Sequence, residues 1–338
     1  MSKARLEGAL AVSLGDPAGV APELLAEAWA RREVVRLPPF FAVGGAHLLA
    51  TAAQARGISV PVIAISAPAE ACEAFTRGLP VLDGPDGPYT PGVPTTDGAR
   101  LALTSLTRAV ELARDGQAAG LVTGPISKAL LAKVGFNHPG QTEFVAAACG
   151  YEPGDTVMML AGPSLRTVPV TVHVALADVP HLLTSTLIER RGRIAAMALV
   201  RDFGIRDPRI AVAALNPHAG EQGRMGDEES RIIAPAIAAL AAEGIAVTGP
   251  HPADALFTPR ARETYDLALC MYHDQALVPL KALDFDAGVN VTLGLPVVRT
   301  SPDHGTAFDI AGKRLADPGA TIAAIRMAGE CAHRRIAG

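Results

Sequence analysis

Three histidines stand at the ends of apolar runs: His173 closes VTVH (170–173), His218 lies in NPHAGE (216–221) and His273 in MYHDQ (271–275). Neutral imidazole is the commonest nitrogen donor to a divalent ion, and three protein ligands leave positions open for substrate. The runs that deliver them, 168–174, 210–215 and 267–271, are strand-like, and open α/β sheets gather their chemistry at the carboxyl ends of strands. Taken singly, each histidine reads as a hydrogen-bonded core or rim residue; taken together they point to one metal site. Asn216, Glu221, Asp274 and Gln275 are expected to pack around the same strands, where polar groups are costly to bury unless they hold ligands or substrate.

The elements that must position these groups alternate short apolar runs with longer amphipathic segments, the pattern of repeated β-α units. The fold class is α/β. Residues 9–14 read as a first strand, and GDPAGVAPE (15–23) turns into a helix, with Pro22 near the first helical position and Glu23 favoring the positive end of the dipole. Further strands are expected at 40–43, 61–65, 120–123, 157–161, 167–175, 245–248 and 267–271. Helices are expected at 97–114, 179–203 and 228–243. Residues 157–161 and 167–175 form a hairpin around 162–164, and the Gly- and Pro-rich span 83–94 is a surface connector or a lid.

With 338 residues, 49% of them hydrophobic and 19% charged, the chain is long enough for two domains and reads as a soluble globular protein. Aromatics at 4% favor close helix-on-sheet layers over an aromatic recognition surface. A net charge of −4, with no basic run interleaved with aromatics, argues against a nucleic-acid partner. Lys128, Lys281 and Arg299 stand in apolar or glycine-rich contexts, where they could bind a small anion, although Lys128 reads equally as a solvated helix start. Cys72, Cys149, Cys270 and Cys331 include no CxxC pair, which fits a reducing cytoplasm. Lys3, Arg5 and Glu7 lead straight into the first strand without a signal peptide's apolar core, and nothing points to a membrane.

No GxGxxG follows the first strand, so the usual dinucleotide turn is missing. DHGTAFDIAG (303–312) instead offers backbone amides and small residues for close approach, or simply makes a tight turn.

The set GDPAGVAPE, GPISK (124–128), PGQTEF (139–144), NPHAGE, MYHDQ and VNVTLGLPVVRTSPDHGTAFDIAG (289–312) closely resembles the 4-hydroxythreonine-4-phosphate dehydrogenase family of vitamin B6 synthesis, in the family's order and over essentially the whole chain. The last motif is similar to the cofactor loop of isocitrate and isopropylmalate dehydrogenases, whose fold the family shares. The resemblance implies a two-domain α/β/α sandwich with its active site in the interdomain cleft. One domain is 1–125 plus 290–338, carrying the cofactor loop; the other is 126–289, carrying metal ligands and dimer interface. It implies a homodimer whose active site is shared across the interface, with His173, His218 and His273 as ligands to one divalent ion (zinc, magnesium or cobalt) and His273 supplied by the partner chain.

Substrate contacts carry over to Thr142, Lys281, Asn290 and Arg299. Cofactor contacts to NAD or NADP fall on Gly305 and Asp309, with His304 touching the cofactor or pinning the turn. The family usually reads Gly-His-Thr-Glu where this chain has Gly140, Gln141, Thr142 and Glu143, so a substrate-contacting histidine becomes Gln141, which can still donate to a phosphate oxygen but carries no charge. The implied reaction is oxidation of 4-phosphohydroxy-L-threonine followed by loss of carbon dioxide. Asp254, Asp274 and Lys281 are candidates for the proton acceptor; Asp254 also reads as a helix cap and Asp274 as a group orienting a ligand histidine. Two other readings stay open: a related dehydrogenase acting on a four-carbon sugar-acid phosphate or a cyclic diol carboxylate, and a three-histidine hydrolase needing no nucleotide.

Overall fold

The computed structural model describes residues 8–337, so the expectation drawn from Lys3, Arg5 and Glu7 lies outside the described residues. In chain order the strands are β1 (Leu10–Ser13), β2 (Phe40–Val43), β3 (Val62–Ile65), β4 (Leu79–Leu82), β5 (Leu121–Thr123), β6 (Val157–Ala161), β7 (Arg166–Pro169), β8 (Arg209–Ala213), β9 (Ala246–His251), β10 (Leu267–Cys270), β11 (Val289–Leu293) and β12 (Arg299–Pro302). The chain divides into two compact units, 1–153 with 295–338, and 154–294. Among the described residues no helix is long and apolar enough to cross a membrane.

The first unit orders its strands β3-β4-β2-β1-β5-β12, and its ladders are parallel. Parallel strands buried on both faces read as short continuous apolar runs rather than alternating ones, which is why LAVS and FFAV were visible as strands. Ala11, Phe41 and Val43 face the helix Thr96–Arg114, while Leu10, Val12, Phe40 and Ala42, of the other parity, are just as buried. Thr95 caps that helix by accepting from the Gly98 N–H, as the Thr-Thr-Asp start predicted. Residues 126–153, expected in the other domain, belong to this unit because Leu131, Phe136, Val145 and Ala146 complete its core.

The second unit orders its strands β11-β6-β7-β10-β8-β9. The expected hairpin is there, β6 running antiparallel to both β7 and β11, while β7, β10, β8 and β9 are parallel. Two expected elements are shorter than read. β7 ends at Pro169, so His173 stands beyond the strand. The helix expected over 179–203 is broken: Leu183 is extended, and Thr184 caps a new helix, Ser185–Arg201, by accepting from the Leu187 N–H. β4, β11, β12 and the helix Gly319–Ala337 were not anticipated.

Candidate active site

In the first unit the chain leaves β1 for β2 on one side and later enters β5 on the other, so ligands are expected at the carboxyl ends of β1 and β5. GDPAG and GPISK meet there with no room to spare. A Cβ on Gly124 would sit 2.8 Å from the Gly15 nitrogen and 2.9 Å from the Ser13 carbonyl oxygen, and one on Gly15, at φ +69°, 2.7 Å from the Pro125 oxygen. Beside this contact lies Arg299, 3% exposed. It donates to Thr123 Oγ1 (2.7 Å), Gln141 Oε1 (3.0 Å) and Thr142 Oγ1 (3.3 Å). Burial pulls its guanidinium down to about 10, with Glu143 opposing. Gln141 donates its Nε2 to the Gly124 carbonyl at 2.9 Å, so both ends of its amide are held by protein. Lys128 opens the helix Lys128–Ala132 and is exposed, the solvated helix start.

The loop 303–312 packs against GDPAG within the same unit: the Val20 N–H donates to the Thr306 oxygen at 3.0 Å, and a Cβ on Gly19 would lie 2.7 Å from that oxygen. His304 Nδ1 donates to the Gly305 carbonyl at 3.0 Å, which leaves Nε2 buried without a hydrogen-bond partner. Gly305 faces open space and Asp309 is exposed.

In the second unit β10 lies between β7 and β8, and the three histidines follow the parallel carboxyl ends of these strands. His273 opens the helix His273–Asp284, its Nδ1 2.7 Å from Asp274 Oδ1, an arrangement that leaves Nε2 as the ligating nitrogen. The His173 and His273 rings are 5.6 Å apart between centres. Two imidazoles sharing a tetrahedral ion through bonds of about 2.1 Å bring their centres to roughly 5 Å, so this pair fits two ligands of one ion. His218 does not complete a set with them: among the described residues no three His, Cys, Asp or Glu side chains gather into a metal cage.

The backbone under these histidines is strained. His173 (φ 53°) is left-handed, as are His218, Ala219, Glu221 and Gln222 (φ 43° to 58°), each costing about 1 kcal/mol or more. What holds the His218 loop is Glu229, 6% exposed and not singled out from the sequence. Its Oε1 accepts from the Leu215 (2.9 Å) and Asn216 (2.7 Å) N–H groups and its Oε2 from Asn216 Nδ2 (3.0 Å). Its place in the acidic run DEES (227–230) masked it as surface charge. Of the polar groups expected to pack around the strands, Gln275 is buried, whereas Glu221, in the left-handed loop after β8, and Asp274, in the first turn of the helix His273–Asp284, are exposed.

Asp254, Phe257, Tyr272, Asp274 and Val278 line a cavity of about 440 Å³. Asp254 lies in the short helix Ala253–Leu256 rather than capping it, the N-cap being Pro252. Lys281 is on the helix His273–Asp284, and Asn290, on β11, has its Oδ1 buried without a hydrogen-bond partner.

The parallel strands, their glycine-tight loops and the polar groups at the strand ends define an α/β enzyme of the dehydrogenase type. The chain belongs to the family described as pyridoxal phosphate biosynthetic protein PdxA, whose model matches residues 36–328. A relative from Erythrobacter litoralis (strain HTCC2594), a 4-hydroxythreonine-4-phosphate dehydrogenase, is 63% identical over 326 residues, covering 96% of this chain and 97% of its own. The solved structure of the enzyme of that name from Klebsiella pneumoniae is 36% identical, with a TM-score of 0.84 over 96% of this chain and 100% of that one. A terephthalate 1,2-cis-dihydrodiol dehydrogenase from Burkholderia xenovorans LB400 is more distant, at 29% identity and TM-score 0.65, covering 95% of this chain and 98% of its own.

Proposed function

We propose that this chain oxidises 4-phosphohydroxy-L-threonine to 2-amino-3-oxo-4-phosphooxybutanoate, which decarboxylates to 3-amino-2-oxopropyl phosphate, in pyridoxine 5'-phosphate biosynthesis. The observation that carries the reading is the 63% identity, over nearly the whole of both chains, to a relative with that activity. The more distant dihydrodiol dehydrogenase keeps a cyclic diol carboxylate as the competing substrate.

Arg299 binds the phosphate, with the Thr142 hydroxyl and the amino terminus of the helix Gln141–Ala148 beside it. Lys281 meets a second anionic group, and the orphaned Oδ1 of Asn290 accepts a hydrogen bond from the substrate and so orients it. Gln141 contributes the second hydrogen of its amide. His173, His273 and His218 would hold one divalent ion, zinc, magnesium or cobalt, with Asp274 fixing the His273 ring. When bound, that ion polarises the hydroxyl being oxidised and the carbonyl formed from it. With Asp274 engaged on His273, the hydroxyl proton falls to Asp254 or Lys281. Residues 303–312 would hold NAD or NADP, which when bound would supply the hydride acceptor; the buried Nε2 of His304 would accept a hydrogen bond from it, with Gly305 and Asp309 flanking.

We further propose a homodimer that works in the cytoplasm. The second unit exposes several large apolar side chains, Phe285 at 72%, Leu176 at 67%, Met197 at 66% and Val278 at 63%, which a second copy would cover. In this reading one of the three histidine ligands, His273, comes from the partner chain, so the metal site is completed across the interface. Cys72, Cys149 and Cys270 are free thiols, in keeping with a reducing compartment.

The test is NAD(P)H absorbance with 4-phosphohydroxy-L-threonine on metal-loaded enzyme, with His218→Ala and a cis-dihydrodiol carboxylate alongside. Metal-dependent turnover of the phosphorylated substrate, lost in the variant, is expected. Turnover of the diol alone refutes the substrate, and turnover without nucleotide refutes the reaction class.

A further inference from the structure

Where the loop 303–312 runs out, two arginines tie the chain to the helices of the first unit. Arg314, exposed, donates from Nε to the Ala55 carbonyl at 2.8 Å, and Arg56, the last residue of the helix Ala46–Arg56, donates from Nη2 to the Ala316 carbonyl at 2.6 Å. Each segment thus lends an arginine to the other's backbone. The Arg56 side chain is 8% exposed, and its other nitrogens meet two carboxylates of the helix Ala21–Ala30: Nε donates to Glu27, and Nη1 lies 3.6 Å from Oε1 of the fully buried Glu23. Burial raises the Glu23 carboxyl, opposed by Arg56 and by the Gly312 N–H of the loop. Gly57 closes the helix Ala46–Arg56 at φ +81°, and a Cβ there would lie 3.2 Å from the Arg314 guanidinium carbon, so this turn needs glycine for its conformation and for its space.

We propose that Arg56 is the positioning residue of the dinucleotide loop, fixing 314–316 and through them the stance of His304, Gly305 and Asp309, a role that rests on the cofactor reading above. The linkage is short. From Lys313 the backbone turns back on itself, the Lys313 N–H donating to the Ile310 carbonyl at 3.1 Å and the Ala311 N–H to the Ala307 carbonyl at 3.2 Å, and the next residue back is Thr306, whose carbonyl the Val20 N–H holds. Val20 and Leu24, where the helix Ala21–Ala30 begins, pack with Ala311 and Ala316. The helix that aims Arg56 through Glu23 and Glu27 is therefore the one on which the loop rests. A buried guanidinium between two carboxylates is weak support for stability, because desolvating the charges offsets most of their attraction and apolar side chains of equal volume serve as well or better. An apolar side chain cannot hold a carbonyl in one direction. The planar fork of arginine, with five donors in fixed geometry, can serve Glu23, Glu27 and Ala316 together.

The experiment pairs hydrogen exchange of peptides spanning 303–316 with calorimetric titration of NAD+ and of NADP+, on metal-loaded, full-length wild type, Arg56→Lys and Arg314→Ala. Arg56→Lys keeps a positive charge beside Glu23 and Glu27, but a single ammonium cannot also reach the Ala316 carbonyl; Arg314→Ala removes the exposed arm and leaves no buried charge unpaired. Loss of a hydrogen bond from a charged donor predicts exchange of 303–316 about 10–100-fold faster in Arg56→Lys, with a smaller rise in Arg314→Ala. Dinucleotide affinity is expected to fall about tenfold in Arg56→Lys, and KM for the dinucleotide to rise with it, while KM for 4-phosphohydroxy-L-threonine and kcat at saturating dinucleotide hold. Should Arg56→Lys fail to fold, Arg314→Ala carries the test alone. Wild-type exchange and dinucleotide affinity in a folded variant overturn the positioning role and leave the cofactor reading standing, as does an equal rise in both KM values. Absence of NAD+ and NADP+ binding by wild type overturns both.

Discussion

Glu229→Ala separates local from global support in the second unit. The carboxylate is the acceptor for the N–H groups of Leu215 and Asn216 and for the Asn216 side chain. Orphaning two half-buried N–H groups costs about 1–2 kcal/mol each, so keeping the loop closed becomes roughly 3 kcal/mol harder. That loop also stores strain in four non-glycine left-handed residues, His218, Ala219, Glu221 and Gln222, at about 1 kcal/mol apiece, which opening releases. The two effects have the same sign for opening and are confined to the loop, so the loop should let go before β8 does. Hydrogen exchange of peptides spanning 214–226 is expected to accelerate by roughly a hundredfold, about 3 kcal/mol, with β8 peptides unchanged. Glu229→Gln should lie between, because its amide oxygen still serves both N–H groups while its nitrogen faces the Asn216 nitrogen. Exchange within a few-fold of wild type, or an equal loss in β8, would refute the reasoning.

Three further outcomes follow from the first unit. Burial raises the Asp16 carboxyl above its ordinary 3.8, with the Ala18 N–H pulling it partly back. The folded value therefore exceeds the unfolded one, and stability is lost as pH rises through the folded value. Asp16→Asn keeps an acceptor for Ala18 and removes this loss, so it should be more stable than wild type at neutral pH, with the gap closing toward pH 3.8 in denaturant melts; a gap that does not change with pH contradicts this. Gly124→Ala drives a methyl to within 2.8 Å of the Gly15 nitrogen and should cost about 1–3 kcal/mol, a loss that melting at native-like activity would disprove. Arg299→Lys cannot serve Thr123, Gln141 and Thr142 at once, and two lost charged hydrogen bonds predict roughly a hundredfold lower kcat/KM for the phosphorylated substrate. An equal fall for an analogue lacking the phosphate would show that Arg299 does not bind it.

The sequence by itself determined the α/β class, because parallel strands buried on both faces leave short unbroken apolar runs such as FFAV and LALC between amphipathic helices. It also determined the family, through motifs whose glycines and histidines stand in a fixed order. It marked the three histidines as following strand ends, and all three do. It fell short where a residue's role depends on a distant partner. Glu229 looked like surface charge until Leu215 and Asn216 were seen to donate to it, and Gln141 looked like a free donor until Gly124 and Arg299 were seen to occupy it. The break at Leu183 was hidden because helical periodicity continues across it, and β11 and β12 were hidden inside a motif read for its chemistry. Only the tertiary structure brought the His173 and His273 rings to 5.6 Å between centres and put His218 on a strained loop. The segments that lead into them are joined through Thr171 and Gln275, by hydrogen bonds between residues up to 100 positions apart that no local spacing encodes.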